Sequence, residues 1–592
     1  MKQSFCFLIF SITILLQSCG PKGKIVDLNN LSGNPLTDGG IKNDDTNGNG
    51  SGSGNGSGPG TNNGATNGGT TGGSFPDEPG GKMGFNAPES SNCAKYQDQY
   101  DLNDPYFCQQ WHISNRGQTV NHIPSTSIFS KTGKPGADIN AYNALAKYSG
   151  KNVNIYITDD GLQSSHPDIA ANFLGGKNNC TGGNDSLPPK ITDIHGTMVS
   201  GIIAAVGNNG IGVSGISHNA KIFMNNIIGC QNGGASAFVA GINIPNTYQL
   251  WSGSWGMGTC QSGFVPRSQM SSQFDAFTQA AKNNNIVFFK ANGNDNGCGS
   301  NGNADNLNAH FAVASIGAVD NEGNITSYSS KGSNLLVSNF AGYGGQSAAS
   351  PGIVTIVRTN EYTADMNGTS AATPATTGVT GLVYEARPGL KWYDYQHALA
   401  QGATIINETQ TATSGISGAD NINYFINDAG YRHSFSYGFG VVDADATVSF
   451  ILKNYTALPE LKKFSDQFSS TPQSDITPES FAANACSEKT IDVTNDLQIF
   501  STELSFDVKN APVRDLAIFV TTPKGKVAQI LRPSNLPGSN LIYDQYFKSM
   551  QFYGMSTKGL WKIKVCGKVG GSFNGAKINF YGFSGNPIKN RM

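Results

Sequence analysis

The sequence predicts an α/β domain, a mostly parallel sheet flanked by helices, followed by a smaller all-β sandwich. Between about residues 140 and 450, short β-rich apolar runs such as "VNIYIT", "KIFMNNII" and "IVFFKA" alternate with helix-period stretches such as "FDAFTQAAKNN". Continuous apolar strands separated by helices indicate a sheet buried on both faces. After about 480, "TIDVTNDLQI", "STELSFDVK", "RDLAIFVTTPKGKVAQIL" and "GLWKIKVCGKVGGSFNGAKINFYGFSG" alternate with period two between turn signals, which reads as a sandwich. At 592 residues the chain exceeds what one core normally organises, so several units are expected.

In chain order, "MKQSFCFLIFSITILLQSCG" carries Lys2, an apolar run and then small residues, the layout of a secretory signal over 1–18 and too short for a stable membrane span. "LQSC" resembles the bacterial lipoprotein processing site, which makes Cys19 the candidate lipidated N-terminus; cleavage as an ordinary secretory signal is the alternative. Acyl chains on Cys19 would anchor the protein to a membrane, and Gly20 after it points to the outer membrane of a Gram-negative cell. A cell-envelope or secreted location is expected either way. The tether is expected over 19–83; from about 32 to 81 it is Gly, Asn, Ser, Thr and Pro with scarcely an apolar residue, too little to offset ordering entropy, and that stretch has a reach of roughly 35 to 40 Å.

The catalytic-type domain is expected over 84–455, a connector over 456–480 and the sandwich over 481–592. With Cys6 and Cys19 set aside, Cys93, Cys108, Cys180, Cys230, Cys260, Cys298, Cys486 and Cys566 form an even set suited to disulfides in an exported protein. Cys486 with Cys566 is the expected pair, because both fall in the sandwich. A net charge of −2 gives no electrostatic reason to expect a nucleic-acid partner.

Three strand–helix junctions carry chemistry. "YITDDGL" ends a strand with Asp159 and Asp160, "DIHGTMVSGIIAA" sets His195 before a small-residue helix, and "NGTSAATP" does the same for Ser370. A serine hydroxyl needs a base to take its proton, and the base needs an anion to fix its orientation. The small residues after Ser370 let a helix N-terminus, with its free N–H groups, come close to a reacting carbonyl.

Together with "DDGLQSSHPD", "HGTMVSGIIAA", "GNNGIGVSGIS", "SWG", "ANGN" and "GTSAATPATTGVTGLVYEARPGL", this order resembles the subtilisin-like serine proteases, and within them the kexin and furin branch. The resemblance implies a subtilisin-like fold, a polypeptide substrate and a triad of Asp159, His195 and Ser370, with Asn294 donating to the oxyanion. The Asp, His, Ser chain order is the known order of subtilisin's triad. It implies that Asp160 faces the substrate groove and that Ser254, Trp255 and Gly256 line it. Asp305 is implied as one acid of the pocket for the residue before the cut, while Met257, Gly258 and Thr259 stand where relatives carry another. Some preference for basic residues follows, with broad cleavage as the alternative.

The resemblance also implies calcium held by Asp104, Asp168, Val206, Asn209, Ile211 and Val213. A second calcium site is expected to be absent, since Thr259 and Ser330 replace its acids. No folded pro-domain is legible, so a separate folding chaperone is a possible partner. The sandwich resembles the P domain of kexin-type enzymes, a jelly roll. A non-catalytic surface-binding lipoprotein on the same scaffold is the rival from another class.

Overall fold

The computed structural model describes residues 16–18 and 100–589, less 101, 124–127, 180, 189, 229–238, 240, 346–347, 409–410, 413–419, 422–423, 454, 468–477 and 539. The tether, Cys19, Cys93, Cys180 and Cys230 lie outside the described residues.

The apolar runs form a seven-stranded sheet. Its strands are β1 (Asn154–Asp159), β2 (Phe173–Asn178), β3 (Lys221–Asn226), β4 (Leu250–Gly253), β5 (Val287–Ala291), β6 (Val313–Val319) and β7 (Leu335–Phe340). The spatial order is β2-β3-β1-β4-β5-β6-β7, and every neighbouring pair is parallel. Strands β6 and β7 are buried at every residue, as a sheet covered on both faces requires. Helices α1 (His195–Ala204), α2 (Ser271–Asn284), α3 (Thr369–Ala386), α4 (Trp392–Gly402) and α5 (Ala444–Leu452) accompany the sheet. The order turns back between β1 and β4, and such a switch point opens a crevice at the carboxyl ends of the strands. Asp159 is the last residue of β1 there.

Helix α3 is buried from Thr369 through Val383. Its small residues explain that depth: a Cβ on Gly378 would meet Ile216 at 2.8 Å, and one on Gly381 would meet the Ser217 hydroxyl at 2.3 Å. Bulk here would push the helix away from the sheet.

The C-terminal region forms two antiparallel sheets. One orders Lys462–Gln467, Gly571–Phe583, Gln498–Lys509 and Tyr546–Ser549, with Glu479–Phe481 also pairing to 571–583; the other orders Ala485–Val493, Gly559–Gly567, Leu516–Thr521 and Val527–Leu531. Within Gly559–Gly567 the side chains of Trp561, Ile563 and Val565 are buried, and Lys562 and Lys564 between them are exposed, the period-two pattern that the sequence shows. Cys486 and Cys566 are directly opposite in this ladder and disulfide-bonded. The expected connector differs: Lys462–Gln467 and Glu479–Phe481 are strands on the edge of the first sheet. Polar edge strands have little apolar patterning, which is why they read as linker.

The two cores interlock. Phe500, Tyr553 and Phe583 of the sandwich pack into the α/β core, while Phe264 and Ala304 pack into the sandwich core. No helix among the described residues is long and apolar enough to cross a membrane.

Candidate active site

His195 begins α1 directly beside the end of β1. Its Nδ1 lies 2.8 Å from Asp159 Oδ1. A carboxylate only accepts, so the proton of this bond sits on Nδ1 and the neutral ring keeps its lone pair on Nε2. Gly196 permits the approach, because a Cβ there would lie 2.3 Å from the Gly161 carbonyl and 2.9 Å from Asp159 Cβ. Burial disfavours the imidazolium, but the charge and hydrogen bond of Asp159, with a contribution from Asp160, outweigh it and hold the His195 pKa above its ordinary value.

Asp160 is the residue expected to face the groove. It is buried, and its carboxylate accepts from the His195 N–H at 3.1 Å and the Gly196 N–H at 2.7 Å, the open donors of α1. Burial and the neighbouring Asp159 charge push its pKa up to about 7.

Ser370 is the second residue of α3 and is fully buried, with its hydroxyl donating to the Ser254 carbonyl at 2.8 Å. His195 Nε2 is buried and receives no hydrogen bond from any described residue. Asn294 follows β5, and its Oδ1 accepts from Thr369 N–H at 3.0 Å and Thr369 Oγ1 at 2.9 Å. Thr369 therefore fixes the flip of the amide next to Ser370, a positioning part that the sequence reading did not single out.

Trp255 contributes only backbone to the cleft: its indole is fully buried and Nε1 donates to the Thr158 carbonyl at 3.0 Å. The edge of Trp255–Met257 accepts an extended chain, since Leu16–Ser18 lies antiparallel on it with Gln17 opposite Gly256. Asp305, expected in the pocket, is buried and bonded to Lys290 Nζ at 2.6 Å, with the Met257 N–H at 3.1 Å on the same oxygen. Lys290 was not anticipated, although a lysine inside the apolar run "IVFFKA" was its signal. Asp295 was also passed over; it accepts from Thr259 N–H at 2.7 Å and Thr259 Oγ1 at 2.8 Å, and the Cys260–Cys298 disulfide joins the same two segments.

The expected calcium residues gather around the loop after α1. Asp168 accepts from Asn209 Nδ2 at 2.7 Å and Val213 N–H at 2.9 Å, and Asp104 from the N–H groups of Asn208 and Asn209 at 3.0 and 3.3 Å. Both carboxylates are buried; burial foremost, then the Asp104 charge, pushes Asp168 up to about 7. The carbonyls of Val206, Ile211 and Val213 accept no hydrogen bond from the described residues. Buried carboxylates beside unused carbonyls fit a hard cation held mainly by oxygen. No group of three or more His, Cys, Asp or Glu side chains is close enough to hold a metal among the described residues, so backbone oxygens would supply most of the ligands.

A parallel sheet with an acid–imidazole pair at its switch point, facing the helix that carries a buried serine, is the framework of a serine peptidase. Residues 150–440 match the model of the Subtilase family, and the chain is a serine endopeptidase. It is 27% identical over 558 residues to the Aeromonas extracellular serine protease of Aeromonas sobria, covering 80% of this chain and 86% of that one. It is 28% identical over 495 residues to human neuroendocrine convertase 2, covering 78% of this chain and 71% of the relative. Among solved structures, the Aeromonas sobria serine protease in complex with its chaperone superposes with a TM-score of 0.72 at 24% identity, over 82% of this chain and 96% of that one, which bears on the fold.

Proposed function

We propose that Ser370 is the nucleophile of this endopeptidase, His195 its general base and Asp159 the group that orients and stabilises the imidazolium. The observation that carries this is the 2.8 Å bond from His195 to Asp159, which leaves the Nε2 lone pair free of any described donor beside the helix that carries Ser370. Attack requires the Ser370 hydroxyl to turn from the Ser254 carbonyl to Nε2. The proton then passes to His195 as Ser370 Oγ bonds the peptide carbonyl carbon, and later to the leaving amine. Asn294 and the Ser370 N–H hold the oxyanion, with Thr369 keeping the Asn294 carbonyl oxygen turned away from it.

A preference for Lys or Arg before the cut would rest on Asp160 and Asp305. Both carboxylates already have partners, the α1 amides and Lys290, which favours the broader cleavage reading. Calcium at Asp104, Asp168, Asn209 and the carbonyls of Val206, Ile211 and Val213 would supply fold stability away from the reacting atoms. Attachment to the cell envelope through Cys19 and help from a separate chaperone complete the proposal; the chaperone draws support from the Aeromonas sobria complex.

Labelling by a fluorophosphonate probe tests the assignment. Wild type labels and cleaves casein; Ser370→Ala does neither while keeping its circular dichroism. A wild-type chain that folds but takes no label establishes the non-catalytic lipoprotein instead.

A further inference from the structure

Lys290 and Asp305 form a buried ion pair directly behind the substrate edge, apart from the proposed reacting groups. Lys290 Nζ lies 2.6 Å from Asp305 Oδ2, donates to the Trp255 carbonyl at 3.0 Å and sits 4.9 Å from the centre of the Trp255 ring. Carboxylate, carbonyl and aromatic face are the three partners that an ammonium or guanidinium from a substrate would use. Gly256 lies against the pair: a Cβ there would stand 3.1 Å from Asp305 Oδ2 and 3.6 Å from Lys290 Nζ.

The position of this pair relative to the reaction follows from the strand edge. A peptide in the register that Leu16–Ser18 adopts, extended by one residue, puts that next residue opposite Ser254. The Ser254 carbonyl holds the Ser370 hydroxyl, so this is the residue before the scissile bond. Its side chain meets the wall at Gly256, with Lys290 and Asp305 immediately behind.

Building on the triad reading, we propose that Lys290 sets the primary specificity by occupying, from inside the protein, the cradle that would otherwise bind a basic side chain. A second cation entering it would face Lys290 across a site of low polarity, where like charges repel strongly. The cleft therefore takes uncharged residues before the cut. Asp295 is a further acid near this segment, and its Oδ2 accepts from Thr259.

The test is a set of fluorogenic peptides differing only in Arg, Lys, Leu or Glu before the cut, assayed on the full-length enzyme. Wild type should cleave the Leu peptide at least as well as the Arg and Lys peptides. Lys290→Met frees Asp305 and should raise the Arg-to-Leu ratio of kcat/KM at least about tenfold. Asp305→Asn leaves Lys290 unpaired and should raise the Glu-to-Leu ratio instead. The double variant, which buries no lone charge, should return the ranking to Leu. If Lys290→Met fails to fold, the Asp305→Asn and double variants still decide. A wild type that prefers Arg or Lys overturns the proposal, and loss of that preference in Asp295→Asn would move the role to Asp295. Unchanged rankings in the variants overturn it as well. Absence of any cleavage by the folded wild type would instead remove the endopeptidase reading on which the proposal stands.

Discussion

The hydroxyl of Ser370 points at the Ser254 carbonyl, 2.8 Å away, and His195 Nε2 is left without a described partner. The proposed nucleophile and its proposed base are thus not hydrogen-bonded to each other in this arrangement. Ser370→Ala should abolish turnover yet leave the His195 titration almost where it is in wild type. The downfield Nδ1 proton in NMR, followed against pH, checks this; a large shift on removing the hydroxyl would show a resting Ser370–His195 bond.

The pH profile follows from the acids around His195. The base works only when neutral, and Asp159 and Asp160 hold its pKa above 6.5. Activity should therefore rise with pH through an apparent pKa above that value. Asp160→Asn removes a charge that raises it, so the acidic limb of kcat/KM should move to lower pH. The same substitution leaves an α1 amide poorly paired and should cost about 1 kcal/mol of stability, read by urea denaturation. A limb that stays put would show that the Asp160 charge does not reach the imidazole.

Asn294 and Thr369 act as a unit. Asn294→Ala should lower kcat about 10²–10³-fold with little change in KM, since an oxyanion donor is felt only in the transition state. Thr369→Val, which removes the hydroxyl bond to Asn294 Oδ1, should lower kcat by a smaller factor, and Thr369→Ser should restore most of it. Equal losses in KM would point to substrate binding in place of oxyanion stabilisation.

Calcium removal should be visible as stability. A chelator should lower the melting temperature of wild type by several degrees, with calcium in excess restoring it, because a ligand that binds only the folded state stabilises it by mass action. Asp168→Ala should melt lower and respond to neither reagent. A wild type indifferent to chelator would leave the loop as a plain hydrogen-bonded turn.

Sheet, sandwich and the strand–helix junctions were legible because each has a local signature: apolar runs of strand length, period-two alternation, and a histidine or serine just before a small-residue helix. The Cys486–Cys566 pair was legible for a similar reason, since both residues fall in one small domain. The bonds of Asp160 to the open amides of α1 were not legible, because β1 ends at Asp159 and the helix that supplies those amides begins 35 residues further on. The Lys290–Asp305 pair joins a strand interior to a loop 15 residues later, a through-space contact that neither residue announces alone. Lys462–Gln467 was missed because an edge strand needs backbone partners more than an apolar face.

The pocket loop is anchored from outside the α/β layer. Asn301 Nδ2 donates to the Ile530 carbonyl at 3.1 Å, Asn303 pairs with the Lys548 backbone at 2.8 and 3.2 Å, and the Asn535 N–H reaches the Cys298 carbonyl at 2.9 Å. On the proposed reading of Lys290 and Asp305, substrate choice would depend partly on the last hundred residues. A chimera that exchanged this sandwich for a homologue's would inherit a misfitted loop unless residues 298–303 travelled with it, so the two halves are bound to diverge together.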